Sequence, residues 1–244
     1  MENTSYIALS RQSGLQRQMD IIANNLANMT TTGFKGEKMM FSQHLVKSRD
    51  GQGLGGTDLA FVRDIATMRD VTEGPLEKTG NPLDVAISGE GFFIVQTDQG
   101  DNYTRAGRFK LDAGGQLVNH QDNPVMSDAG QPFVFGPEES NITISTDGTI
   151  ATQNGAIGRL AVVSFERPYA LKPNASGQFT TGEPPTAVAN PKVVQGMLEG
   201  SNVLPIIEMA HMIEVHRTYE SVRTFLEKED ERMRQMIRDM AEVA

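Results

Sequence analysis

The sequence predicts an α+β fold: long N- and C-terminal helices that pair as a coiled coil, with a central antiparallel all-β domain, a sandwich or a small barrel. Two observations carry the prediction. Near both ends apolar residues recur every seven positions, while between them the period falls to two and Gly- and Asn-containing turns punctuate the chain. The expected division is a helix over residues 1–33 pairing with one over 203–244, a β domain over 82–170, and extended connecting arms over 34–81 and 171–202.

The first helix rests on Ala8, Leu15, Ile22 and Met29, seven apart, with Met19 and Leu26 four beyond two of them. This draws a narrow seam of the kind one helix offers another. Thr30, Thr31 and Thr32 are β-branched and poor helix formers, and Gly33 takes a left-handed C′ position at little steric cost. Asn24, Asn25 and Asn28 stand beside the seam. Asn amides compete with helical backbone bonds, so they read either as a fraying helix end or as hydrogen-bonding groups for neighbouring chains.

Next comes Ser48–Gly56, with four glycines in the last six residues, a flexible loop. The pattern predicts no strand before it and no convincing helix after it, so a phosphate-binding loop is not expected. Residues 58–73 mix apolar and charged side chains without firm period and read as an extended arm. The β grammar starts near Gly80: Val85 and Ile87 alternate, Phe92–Val95 is a buried run, and Phe109 and Leu111 alternate. Turns follow at Asp98–Gly100, Asp112–Gly115, Asp128–Gly130, Asp147–Gly148 and Asn154–Gly155, where Gly and Asn accept positive φ. Further strands are expected at 117–118, 133–135, 142–144 and 160–165. Residues 169–191 thin into Pro, Gly, Thr and Ala and read as a return arm.

The last helix opens at Pro205, whose missing N–H costs nothing in a first turn. Met212, Tyr219, Leu226, Met233 and Met240 lie seven apart, and Val215, Val222 and Met236 sit three beyond their partners. The stripe makes a rod of roughly 50 Å. Neither terminal helix has a large partner in its own neighbourhood, so each exposes its seam unless the two pair or other chains cover them. Leu15, Met19, Ile22, Asn24, Asn25, Leu26, Asn28, Met212, Tyr219, Leu226 and Met233 are therefore the candidate subunit-interface residues.

Composition narrows the chemistry. A net charge of −9 argues against nucleic acid and anionic membrane surfaces. With 244 residues, 38% hydrophobic and no Trp, the core is smaller than the length suggests. The absence of Cys excludes disulfides, zinc-thiolate sites and cysteine nucleophiles. No cleavable secretory signal is visible at Met1–Tyr6 and no run reaches the roughly 20 apolar residues of a membrane span, so the chain reads as soluble and acidic. No metal, cofactor or catalytic site is expected. Glu208 and His211 have a di-iron helix spacing but no second copy, and His211 and His216 are five apart, too far round a helix to share a metal. Neither a Gly-x-Ser-x-Gly elbow nor a Walker loop is present. Asp84 reads as a turn or strand-end hydrogen-bonding group. Arg105 and Arg108, which flank Gly107, read as partners of acidic residues within the fold or across an interface, with an anion clamp as the alternative.

Several stretches also resemble a known family. Ala23–Asn28 followed by Thr31–Lys35, then Leu76–Phe93 continuing through Tyr103–Phe109 and Gly115–Val118, then Val194–Val203 with Met212–Ile213 and Arg217–Glu220, are similar to the axial proteins of the bacterial flagellum: rod, hook and hook-associated proteins. Three motifs in the family's order, from both ends and the middle, are very specific. Met29 departs from the pattern, since the family more often has valine or a comparable small residue there. The resemblance implies a structural, non-enzymatic subunit of the basal-body rod, of the proximal rod by its length and opening, with the distal rod protein as the nearest alternative. It implies helical co-assembly with other copies and with the rod subunits FlgB, FlgC and FlgG. It implies passage through the flagellar export apparatus without a cleaved signal peptide, to a rod that crosses the periplasm, with no membrane insertion. Glycine-rich residues 48–57 would then let copies occupy non-identical positions. The rival readings are a secreted peptidoglycan-acting or carbohydrate-binding protein, which needs an acid/base pair that cannot be assigned here, and an export chaperone with coiled-coil ends.

Overall fold

The computed structural model describes residues 2–47, 58–139, 141–174 and 177–242, and the side chains of all of these except residues 2–5, 41–47, 58–66 and 242. The glycine-rich loop at 48–57 and the side chain of His44 lie outside the described residues. The chain is α+β, with one helix near each end and an antiparallel β region between. It divides into two compact units. Unit 1 holds Met1–Ala27, Glu37–Met68 and Leu204–Ala244, and unit 2 holds Asn28–Gly36 and Arg69–Val203.

In unit 1, helix α1 (Glu2–Ala27) packs against helix α2 (Pro205–Glu242). Ala8 and Ile22 of α1 and Val215 of α2 are buried there. α1 ends six residues before the expected Gly33. Asn28 opens a turn whose carbonyl accepts from Thr31 N at 3.1 Å, and Asn28 Oδ1 accepts from the Thr31 hydroxyl, also at 3.1 Å. This is the local competition that disfavours Asn and Thr in a helix. Gly33 is left-handed at φ +69°, yet it serves unit 2 rather than the helix cap: a Cβ there would lie 2.5 Å from Ala106 N. Residues 37–69, expected as part of an arm, contain two long strands, β1 (Glu37–Lys47) and β2 (Asp58–Arg69), hydrogen-bonded to each other.

Unit 2 begins with β3 (Leu76–Lys78) and β4 (Val85–Ser88), then the hairpin of β5 (Phe92–Thr97) and β6 (Gly100–Thr104). A six-stranded sheet runs in the order Lys172–Pro173, Phe179–Thr180, β6, β5, Val162–Ser164, Thr186–Ala187. β5 explains why Phe92–Val95 reads as a continuous apolar run. Phe93 and Val95 enter one core cluster with Val85, Phe109 and Leu160, while Phe92 enters another with Tyr103, Phe165 and Phe179, and Ile94 packs against it. A central strand with core on both faces has no polar side. The second cluster is aromatic: Tyr103 meets Phe165 at 4.7 Å and Phe92 meets Phe179 at 5.7 Å, both edge-on, the favoured arrangement.

Residues 171–202, expected as an arm, supply five short strands. Phe179 pairs with Tyr103, Lys192–Gln195 pairs with β4, and Met197–Glu199 pairs with β3. Their sparse apolar pattern concealed them, because such strands are held by main-chain bonds to neighbours already in the sheet.

Candidate assembly interface

The seven-residue stripes set the surface of unit 1. On α2 the partly or fully buried positions between Glu208 and Glu229 include Met212, Val215, Tyr219, Val222 and Leu226, spaced alternately three and four apart. On α1 they include Leu15, Met19, Ile22 and Leu26. The two helices differ in length, 26 residues against 38, or about 39 Å against 57 Å at ~1.5 Å per residue. Beyond Asp230 every α2 residue with a described side chain is exposed. The stripe nevertheless continues, with Met233 and Met236 partly open, Ile237 63% exposed and Met240 65% exposed.

A second apolar row lies at the start of α2. Ile206 is 79% exposed, and Met209 and Ile213 are exposed beside it at helical spacing. Sequence reasoning passed over these three, although the spacing i, i+3, i+7 was there to find. Burying an Ile or Met side chain fully is worth ~1.5–3 kcal/mol, so both rows favour contact with further apolar surface.

The asparagines divide. Asn24 is exposed and Asn28 half-buried. Asn25 is buried, and its amide works inside the chain: Oδ1 accepts from Glu37 N and Nδ2 donates to Glu37 O, each at 2.9 Å. Nδ2 also reaches Glu208 Oε2 of α2 at 3.4 Å. One side chain thus pairs with the first residue of β1 as a strand neighbour does, and touches both helices.

Unit 2 holds a buried ionic knot of which sequence reasoning singles out Arg105 alone, although Lys35 and Glu199 also lie in the quoted motifs. Lys35 is 1% exposed and Glu199 0%. Lys35 Nζ donates to Glu199 Oε1 at 2.5 Å and to Thr72 O at 2.6 Å. Glu199 Oε1 also accepts from Gly74 N at 2.9 Å, while Oε2 faces the Arg105 guanidinium at 3.4 Å. Arg105 donates to Gly89 O at 2.6 Å and lies over the Phe92 ring. Burial pulls the Lys35 ammonium below its ordinary value, against the raising pull of Glu199, and burial lowers Arg105 likewise. Asn202 completes the knot, accepting from Gly36 N at 2.8 Å and donating to Asp70 O at 2.8 Å. Residues 33–36 and 199–202 are therefore tied together within unit 2.

Of the two arginines flanking Gly107, Arg105 is the one with an acidic partner inside the fold; Arg108 is exposed. Asp84 accepts from the Asn81 side chain at 3.1 Å, and its N–H donates to Asn81 O, a turn. His211 and His216 are exposed on α2.

Three family models match along the chain: "Flagella basal body rod protein" over residues 6–35, "Flagellar hook protein FlgE/F/G D1 domain" over 86–152, and "Flagellar basal body rod FlgEFG protein C-terminal" over 194–239. The flagellar basal-body rod protein FlgF of Caulobacter vibrioides is 38% identical over 100% of both chains. That of Mesorhizobium japonicum is 31% identical over 93% of this chain and 92% of its own. The flagellar basal-body rod protein FlgG of Buchnera aphidicola subsp. Schizaphis graminum is 32% identical over 86% of this chain and 90% of its own. With a helix near each end, the two packed on each other, and with relatives matched over 90% or more of their length, the chain belongs to the flagellar basal-body rod proteins, the family that holds FlgF and FlgG, and is a structural subunit of the rod.

Proposed function

We propose that the chain acts as a stave of the proximal rod, a non-catalytic drive-shaft subunit whose α1–α2 pair coils and packs beside the same pair of neighbouring subunits. The observation that carries this is the α2 stripe: it is covered as far as Glu229 and stays apolar and bare from Met233 to Met240. Neighbouring subunits supply the missing cover: other copies of this chain and rod proteins of the FlgB, FlgC and FlgG kinds. Leu15, Met19, Ile22, Leu26, Met212, Tyr219, Leu226 and Met233 form the seam, Asn24 and Asn28 edge it, and Asn25 holds its shape from within. The sheets of unit 2 close round their core as a small barrel or sandwich. The subunit reaches the periplasm-spanning rod through the flagellar export apparatus without a cleaved signal, its ends ordering as they meet neighbours. Among the described residues no helix is long and apolar enough to cross a membrane.

Leu226→Asp tests the proposal. A carboxylate in the seam should remove the chain from detergent-extracted basal bodies and stop motility, while unit 2 keeps its denaturation profile. Intact rods and normal swimming with this variant would end the reading. The FlgG resemblance keeps a distal place as the alternative, and the subunit's position in purified basal bodies, read by labelling, separates the two.

A further inference from the structure

A cleft of about 260 Å³ in unit 2 is not used by the seam. Its lining includes Thr30, Thr32, Thr104, Arg108, His120 and Gln178. Arg108 and His120 are exposed, and among the described residues neither side chain has an ion-pair partner. Asp122, the acid of the adjoining turn, is occupied by Lys110 at 2.7 Å. The cleft is firmly built. Asn119 Oδ1 accepts from the N–H groups of Gln121 and Asn123, both at 2.9 Å, which pins the turn that carries His120. Gln178, 2% exposed, bonds to Asn102 at 2.8 Å and to Gln121 at 3.0 Å. A rigid cleft with an unpaired guanidinium, an imidazole and the hydroxyls of Thr30 and Thr32 fits a carboxylate.

The complement lies at the other end of the strand that contributes Thr104. The β5–β6 hairpin turns through Asp98 and Gln99, closed by the Thr97–Gly100 pair and by the Thr97 hydroxyl on Gly100 O at 2.7 Å. Asp98 and Asp101 are exposed there, and neither has an ion-pair partner among the described residues. Gly100 and Thr104 are four residues apart on β6, about 13 Å at the ~3.3 Å rise of a strand, so the acidic tip and the basic cleft are separate features of one rigid unit. A tip and a cleft on different patches of the same chain make a head-to-tail contact, and such contacts generate open helical arrays unless the rotation closes a ring.

We propose that the Asp98–Asp101 hairpin tip of one copy seats its carboxylates in the Arg108–His120 cleft of the next. The occupant is a second copy: in a chain of net charge −9 an unpaired cationic cleft is uncommon, and the two-carboxylate tip is its match in charge. The inference deepens the assembly reading by naming one contact, and rests on it.

Because the chain has no Cys, engineered thiols report the contact cleanly. Full-length chains carrying Gln99→Cys are mixed with chains carrying Thr30→Cys and oxidised, which leaves all four charged or imidazole groups in place. The mixed disulfide should exceed both like-with-like products. Arg108→Glu in the Thr30→Cys chain should lower its yield roughly tenfold, as should Asp98→Lys with Asp101→Lys in the other chain. Combining the reversed chains should restore it, a rescue that misfolding does not give. A yield indifferent to all three charge changes overturns the proposal. So does a cleft in which inorganic phosphate raises the melting temperature through Arg108 while the cross-link stays at the random level, since the site is then for a small anion. If sedimentation of the wild-type chain remains sensitive to Leu226→Asp while the cross-link fails, the contact alone falls and the seam reading stands. If neither responds, both fall.

Discussion

Unit 2 takes Phe93, Val95 and Ile150 wholly out of water and encloses even Lys35 and Glu199, whereas α2 of unit 1 leaves Ile206, Ile237 and Met240 more than half exposed. The usual order is inverted: charged groups lie inside one part of the chain while aliphatic groups face solvent in another. Buried charge confers little net stability, yet it is strongly selective about geometry, because Lys35 and Arg105 are neutralised only where both meet the Glu199 carboxylate. Exposed hydrocarbon is unselective and waits for cover. The difference teaches that unit 2 is built to hold its shape as an isolated chain, and that the helical unit reaches its final state in contact with other subunits.

The largest expected effect comes from breaking the buried knot. Glu199→Ala leaves Lys35 hydrogen-bonded only to the Thr72 carbonyl and takes from Arg105 its carboxylate at 3.4 Å, so two buried cations keep only weaker acidic pulls, that of Glu73 among them. Loss of one partner of a buried pair costs roughly 3–5 kcal/mol. Urea denaturation followed through unit 2 should show a loss of that size. A loss under ~1 kcal/mol would mean that the knot is hydrated and that the contrast with unit 1 is weaker than described.

The same knot sets a pH dependence. The folded Lys35 pKa lies below the ordinary 10.5, chiefly through burial, so between the two values the unfolded chain binds more protons than the folded one. In that window stability contributed through Lys35 rises with pH. Tyr103, raised by burial, slopes the opposite way. Comparing the wild type with Lys35→Met isolates the lysine: above neutral pH the wild type should gain on the variant as pH approaches 10.5. A gap that shrinks over that range contradicts a burial-dominated shift.

A smaller effect is expected at Asn25. Asn25→Ala removes both bonds to the Glu37 main chain and leaves a buried donor and acceptor unsatisfied, a cost of roughly 1–3 kcal/mol. Hydrogen exchange should rise at the end of α1 and at Glu37 while unit 2 keeps its protection. Protection lost equally in both units would deny the separation on which the comparison rests.

These residues also mark what was legible beforehand. The terminal helices were readable because a seven-residue period is a local property, repeated from Ala8 to Ile22 and from Met212 to Met240. The β5 run was readable for the same reason. The knot was not, because Lys35 and Glu199 are 164 positions apart and a charge carries no period that announces its partner. The resemblance picked out the motifs that contain them without saying what they do. Asn25 was singled out as a group for neighbouring chains, while its amide meets a main chain 12 residues onward; composition cannot separate those two uses. Strands β1 and β2 escaped notice because each is defined by its pairing to the other, and Asp58–Arg69 alternates too loosely to declare a face.

The smallest effect on the isolated chain is expected where the assembled one should change most. Ile237 and Met240 contact little, so Ile237→Ser with Met240→Ser should shift the stability of the isolated protein by less than ~0.5 kcal/mol. Assembly differs, because burying the two side chains against a neighbour is worth ~1.5–3 kcal/mol each, and the double variant loses that gain. Its incorporation into basal bodies, in competition with the wild type, should fall at least tenfold. The paired control is Arg234→Gln, which removes an exposed charge next to the stripe and its ion pair with Asp230 at 2.9 Å, and should leave incorporation nearly unchanged. Equal incorporation of the serine variant would mean that these last turns of α2 face solvent in the rod as they do in the free chain, and that the cover for unit 1 arrives only along Ile206, Met209 and Ile213.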